Sequence, residues 1–290
     1  MNRRGALMFL ALGVIWGVPY LLIKIAVAEL EPAMLVLART TLAALILLPI
    51  AAARGALAPV LRRWKPLVAF AAVEIALPWY FLNSAERTLP SSTAALLLAA
   101  VPLAGVGIAF LMGRSERLRA SNWFGLALGV AGVAALVGLD IAGSDMFAVA
   151  EMAVVVIGYA LGPAIIVRWM RELPSIGVIA LSLAITAVVY VPIVLLSGAW
   201  PAVTPSVQAV GSVVVLAALC SAAAFMLLFA LIKEIGPVRA TSIVYVNTAV
   251  AVAAGALVLG EQVTLWTLVG FVLVLAGSYF VTARPTERGV

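Results

Sequence analysis

The sequence predicts an all-α polytopic membrane protein: ten transmembrane helices arranged as two inverted five-helix repeats. Three observations carry this: an extreme composition, ten apolar stretches of membrane-spanning length, and an internal duplication. Of 290 residues, 66% are hydrophobic and 10% charged, and the mean hydropathy is +1.23. Soluble chains are about 25% charged.

The same composition narrows the chemistry. There is one cysteine, Cys220, and no histidine. That removes an internal disulfide, a thiolate metal cluster and Ser-His-Asp catalysis together. No metal or cofactor is expected. Gly-x4-Gly-Lys-[Ser/Thr] is absent, so ATP coupling through that loop is not expected either. The net charge of +6 does not mark a nucleic-acid partner, because the basic residues sit in short segments between apolar runs. A lipid bilayer and a small-molecule substrate are the expected partners.

About 20 apolar residues cross a hydrocarbon core of about 30 Å. The stretches are 5–24, 33–53, 66–84, 91–112, 121–139, 148–167, 175–196, 208–232, 238–259 and 264–283. Their polar content is too low for the alternation of a membrane barrel. Arg3, Arg4 and the Ala26-Val27-Ala28 triplet imitate a signal peptide, but the apolar run from Gly5 to Ile23 is longer than a usual signal core. It is read as span one.

Orientation follows from the basic residues. Alternate segments hold Arg3 and Arg4, then Arg54 to Lys65, Arg114 to Arg119, Arg168 and Arg171, Lys233 and Arg239, and Arg284 and Arg288. The opposite side holds Lys24 and Arg87, with Arg39 inside a span. Both termini are therefore expected in the cytoplasm. Glu29, Glu31, Glu86, Asp140, Asp145, Glu151 and Glu261 fall on the other face.

The chain repeats itself. Pro90 and Gly113 match Pro237 and Gly260; after a two-residue slip, Glu116, Gly125 and Gly132 match Glu261, Gly270 and Gly277. Trp16-Gly17-x-Pro19 has a looser echo in Tyr159-x-x-Gly162-Pro163. The repeats are taken as 1–141 and 146–290. Five spans per half is odd, so the halves are expected to insert with opposite orientation, as in secondary transporters whose substrate sites lie at the repeat interface.

These residues resemble the ten-span EamA-type permeases of the drug/metabolite transporter superfamily. The resemblance rests on Trp16-Gly17, Arg39 and the two segments of form Gly-(x-x)-Glu-x8-Gly-x6-Gly, of which Leu259 through Gly277 is the closer copy. The first copy departs by the Arg114-Ser115 insertion. The resemblance implies alternating-access movement of small metabolites across the inner membrane, with export of amino acids foremost and sugar- or nucleotide-like compounds or drugs as the alternative. A passive channel, a membrane enzyme and a sensory protein are the other classes weighed. The spans lack the polar rings of a pore and the clustered acids of an enzyme.

Ionisable groups inside a membrane are functional by default. Arg39 lies about 9 Å and Glu74 about 12 Å into their spans at 1.5 Å per residue. Glu74 is the proton-coupling candidate and Arg39 the clamp for a substrate carboxylate. The plainer alternatives are that Arg39 snorkels to the interface and Glu74 hydrogen-bonds a neighbouring helix. The vertical gap argues against the two touching.

Trp64, Trp123, Trp169, Trp200 and Trp266 fall at span ends, as an aromatic belt requires. Trp16 and Trp79 do not. Trp16, Pro19 and Tyr20 share one face of span one, and Trp79 and Asn83 share a face of span three with Tyr80 adjacent. Tyr159 pairs with Pro163 on span six. Thr241, Tyr245 and Thr248 share a face of span nine, with Asn247 pointing away. Polar aromatic groups avoid lipid, so these faces line either a cavity or a helix interface. A cavity walled by Trp and Tyr suits an amphipathic metabolite.

Pro19, Pro102 and Pro163 are the hinge candidates, and Pro78 also falls inside a span. Glu116 and Glu261 precede packing helices and are read as caps rather than site residues. Gly125, Gly129 and Gly132 on span five, with Gly270 and Gly277 on span ten, predict close backbone packing within the chain or in a homodimer.

Overall fold

The computed structural model describes residues 3–111, 120–136, 146–235 and 243–282. Glu116, Thr241, Asp140, Asp145 and the repeat anchors Gly113 and Pro237 lie outside them. Among the described residues all regular structure is helical. Seven helices are long and apolar enough to cross a membrane. In chain order they are α1 (Arg3–Val27), α2 (Pro32–Ala53), α3 (Trp64–Ala85), α4 (Ser91–Ile108), α6 (Met146–Met170), α7 (Ser175–Ser197) and α8 (Val207–Ile235). Three shorter apolar helices fall where spans five, nine and ten are predicted: α5 (Ala120–Ala135), α9 (Ile243–Val258) and α10 (Leu265–Thr282).

Local chemistry sets the ends and irregularities. Pro32 begins α2 at a position where its missing N–H costs nothing. Gly55, at φ +64°, closes that helix as Ala56 N–H reaches back to Ala51 O. α4 breaks at Ala99 and Ala100, just before Pro102, which has no N–H to return to the Leu98 carbonyl and whose ring crowds that turn. Ser278 of α10 donates to the Ala99 carbonyl at that break. Of the three hinge candidates Pro102 lies at a break and Pro163 three residues before the π-turn of α6, while Pro19 sits within continuous α-helix.

Among the described residues three helices widen into π-turns: α3 over Ala71–Ala76, α6 over Ile166–Met170 and α8 over Ala218–Ala223. In α3 the widening abuts Pro78, and the Ala76 carbonyl accepts from Tyr190 Oη on α7 at 2.9 Å. In α8 Ser221 Oγ donates to Leu216 O, five residues back, at 2.8 Å. Each side chain satisfies a backbone acceptor that would otherwise be left in an apolar interior.

Glycines bring backbones together across the two halves of the chain. A Cβ on Gly17 of α1 would lie 2.5 Å from Val250 on α9. One on Gly277 of α10 would lie 2.6 Å from the Gly125 carbonyl on α5. Gly158 of α6 seats against the Val73 carbonyl of α3, and Gly177 of α7 against the Ala56 carbonyl after α2. The glycine faces of α5 and α10 are thus spent on each other within one chain. Leu45, Val188, Leu196 and Val272 remain exposed on the outer surface, where a bilayer in place of water would carry no hydrophobic cost.

Candidate functional site

A cavity of about 290 Å³ lies between α1, α2, α3, α4, α6, α8 and α9. Trp16, Pro19, Tyr20, Arg39, Glu74, Trp79 and Tyr159 all line it, so most of the residues singled out from sequence converge on one space. The docking of Gly17 on α9 fixes the rotation of α1 and turns Trp16 and Tyr20 inward.

Arg39 is buried, with 7% of its surface exposed, and does not snorkel. Its guanidinium lies 3.7 Å over the Trp79 ring, and its Nε donates to Ser221 Oγ at 3.0 Å. No carboxylate among the described residues pairs with it. A guanidinium in that setting is a cation stabilised by an aromatic face and one hydroxyl, with its terminal N–H groups available to an anion. Glu74 projects from the π-turn of α3 toward Gly162 of α6, where a side chain would collide with the carboxyl. Its Oε2 is buried and has no hydrogen-bond partner among the described residues. Arg39 and Glu74 share the cavity without forming an ion pair.

Four expected site residues lie elsewhere. Tyr80 turns toward Phe81 and Tyr190, with ring centroids 5.4 and 6.4 Å away. Asn83 is buried beyond the lining and donates to the Pro32 carbonyl at 3.4 Å. On α9 the expected face is wrong: Asn247 lines the cavity with Ile243 and Val244, while Tyr245 and Thr248 do not. Thr248 Oγ1 instead donates to Val244 O at 2.7 Å. The contact of Val246 and Val250 with Gly13 and Gly17 sets that rotation. Sequence reasoning missed Cys220 and Phe225, which line the cavity, and Ser221, which holds Arg39.

Glu261 is a cap, but of a different helix from the one expected. Gly260, at φ +67°, turns the chain after α9 as Glu261 N–H reaches Gly255 O. The carboxylate then accepts from Ser91 N–H at 2.6 Å, Ser92 N–H at 3.0 Å and Ser92 Oγ at 2.6 Å. It therefore caps α4 of the first half rather than α10. Gly255 leaves room for it, since a Cβ there would overlap Glu261 Oε2. Burial pushes this carboxyl up, but the bonds from Ser92 and Ser91 outweigh that and hold it below the usual range.

The EamA-like transporter family model matches residues 3–138 and again 146–283. The chain belongs to this family. Among relatives of this EamA-like transporter, the uncharacterized inner membrane transporter YedA of Escherichia coli K12 is 30% identical over 291 residues, covering 97% of this chain and 93% of the relative. Proteins of the same name from strains O6:H1 and O157:H7 match equally. A solved crystal structure matches with TM-score 0.68 at 21% identity, covering 97% of this chain and 98% of the other, a likeness of fold alone.

Proposed function

We propose that this EamA-like protein is a secondary transporter of the inner membrane, exporting amino acids or similar small amphipathic metabolites by alternating access. One observation carries it: a cavity between helices of both halves that holds a buried guanidinium, stacked on an indole and with no carboxylate partner among the described residues. One arginine meets one carboxylate, and Trp16, Trp79, Tyr20, Tyr159 and Phe225 supply walls for an apolar or aromatic body. Glu74 is the proton-exchanging carboxyl on this reading.

Ten spans in two inverted halves of 1–141 and 146–290 form the frame, with both termini cytoplasmic. The family model's two separate matches support it. So do the π-turns of α3 and α8, which recur at an offset of 147 residues. Close contacts cross between the halves and exchange partners when each helix is replaced by its counterpart five positions on: α1 with α9 and α6 with α4, α3 with α6 and α8 with α1.

The test is flux in proteoliposomes, with and without a pH gradient, for each of three compounds: an aromatic amino acid, its decarboxylated amine and its deaminated acid. Saturable flux of compounds bearing a carboxylate, and none of the amine, is the expected result. Equal flux of all three, or none, overturns the carboxylate-clamp reading.

A further inference from the structure

Past the cavity, where α3 turns into α4, stands a polar group that the transport reading leaves unused. Lys24 lies one turn beyond the lining residue Tyr20 on α1, and Glu86 one turn beyond Leu82 after α3. The Lys24 ammonium donates to two backbone carbonyls, Glu86 O at 2.7 Å and Leu89 O at 2.8 Å. It thereby ties α1 across the α3–α4 turn, one helical turn beyond the lining residues Tyr20 and Leu82. Glu261, capping α4 at Ser91 and Ser92, fastens the same turn from the α9–α10 connection.

The Glu86 side chain lies wholly inside, with 0% of its surface exposed. Neither carboxyl oxygen has a hydrogen-bond partner among the described residues. An anion there would bear the full desolvation cost with no bond to offset it. The groups that face it are Lys24 and Tyr20 of α1, Arg39 of α2 and Glu261; Glu151 of α6 is engaged with Ser84 instead. Burial pushes the Glu86 carboxyl well above the usual range, against the pull of Lys24.

We propose that Glu86 is a proton-binding site of the transport path, neutral while Lys24 ties this end shut and ionised, with Lys24 as its ion-pair partner, when the end opens. The inference rests on the alternating-access reading. Opening requires the ammonium to leave its two carbonyls and admits water to the carboxyl. The carboxyl proton passes to that water, the carboxylate forms, and Lys24 keeps its charge throughout. Closing reverses each change and takes one proton from the same face. Glu74 lies twelve residues earlier on the same helix, about 18 Å away at 1.5 Å per residue. Two acids thus bracket the cavity, with Arg39 between them.

Cys220 is the only cysteine and lines the cavity, so its modification reports access from either face. A membrane-impermeant methanethiosulfonate reagent is applied to right-side-out and inside-out vesicles carrying the full chain. The rate ratio between faces cancels the thiol's own ionisation. With Glu86 as the titrating group, the wild-type ratio rises with pH at the Lys24 face, by up to about tenfold per unit. Glu86→Gln holds the ratio low at every pH, and Lys24→Gln, which lacks the tie, holds it high. A flat wild-type profile, a Glu86→Gln profile that still titrates, or a Lys24→Gln ratio as low as wild type at acid pH overturns the proposal and leaves transport standing. Cys220 unreactive from both faces overturns the transport reading itself.

Discussion

α3 and α8 carry the same backbone device and use it differently. Both widen into a π-turn, and the fourth residue of each turn reaches the neighbourhood of the cavity: Glu74 in α3 and Ser221 in α8. Ser221 is satisfied twice over, donating to Leu216 O and accepting from Arg39. Glu74 keeps a buried oxygen with no partner among the described residues. The shared device belongs to the frame. The chemistry lies where the halves differ, because a polar atom left unpartnered in an apolar interior costs stability unless something binds it.

Four substitutions probe this contrast. Arg39→Ala removes the cation that the α8 turn supports, and a charge-assisted contact of about 2–3 kcal/mol corresponds to about a hundredfold loss of affinity for a carboxylate cargo. Flux measured against cargo concentration checks it. Glu74→Gln keeps the shape and removes the exchangeable proton, so gradient-driven flux falls about tenfold and its pH dependence flattens, as for loss of a group that carries protons. A variant that retains the wild-type pH profile would erase the functional difference between α3 and α8. Ser221→Ala frees Leu216 O and releases Arg39 Nε but leaves the cation in place on Trp79, so cargo affinity drops only severalfold, a loss of about 1 kcal/mol. Competition binding against labelled cargo reads that out.

The smallest effect separates frame from chemistry. Glu261→Gln weakens a charged cap, lowering stability by about 1 kcal/mol with cargo selectivity unchanged. The sign with pH is fixed by the depressed carboxyl: its contribution is present above the ordinary carboxylate range and is lost as pH falls through the folded-state value. Thermal melting in detergent should therefore separate wild type from Glu261→Gln at neutral pH, with the difference vanishing in acid.

Much of the helical layout was legible because an apolar run long enough to cross a bilayer stands out by hydropathy alone. The five tryptophans expected at span ends are exposed, while Trp79 is buried with Arg39. What stayed hidden depended on helix rotation and on partners far away in sequence. On α9 polar groups point in several directions, and only the seat of Gly17 on Val250 turns Asn247 rather than Tyr245 inward. Ser221 and Cys220 sit in an apolar run with nothing local to distinguish them, and Arg39 finds Ser221 across 182 residues. Glu261 was legible as a cap, since its chemistry is local, but the helix it caps belongs to the other half.

The Glu261 hook also has a consequence for biogenesis. The start of α4 waits for a carboxylate that lies 170 residues further along the chain. While the ribosome is still delivering the intervening helices, the amides of Ser91 and Ser92 can be met only by solvent or headgroups. The hook closes only after almost the whole chain has been made, so a nascent first half stalled at the translocon would lack it and stand exposed to quality-control proteases.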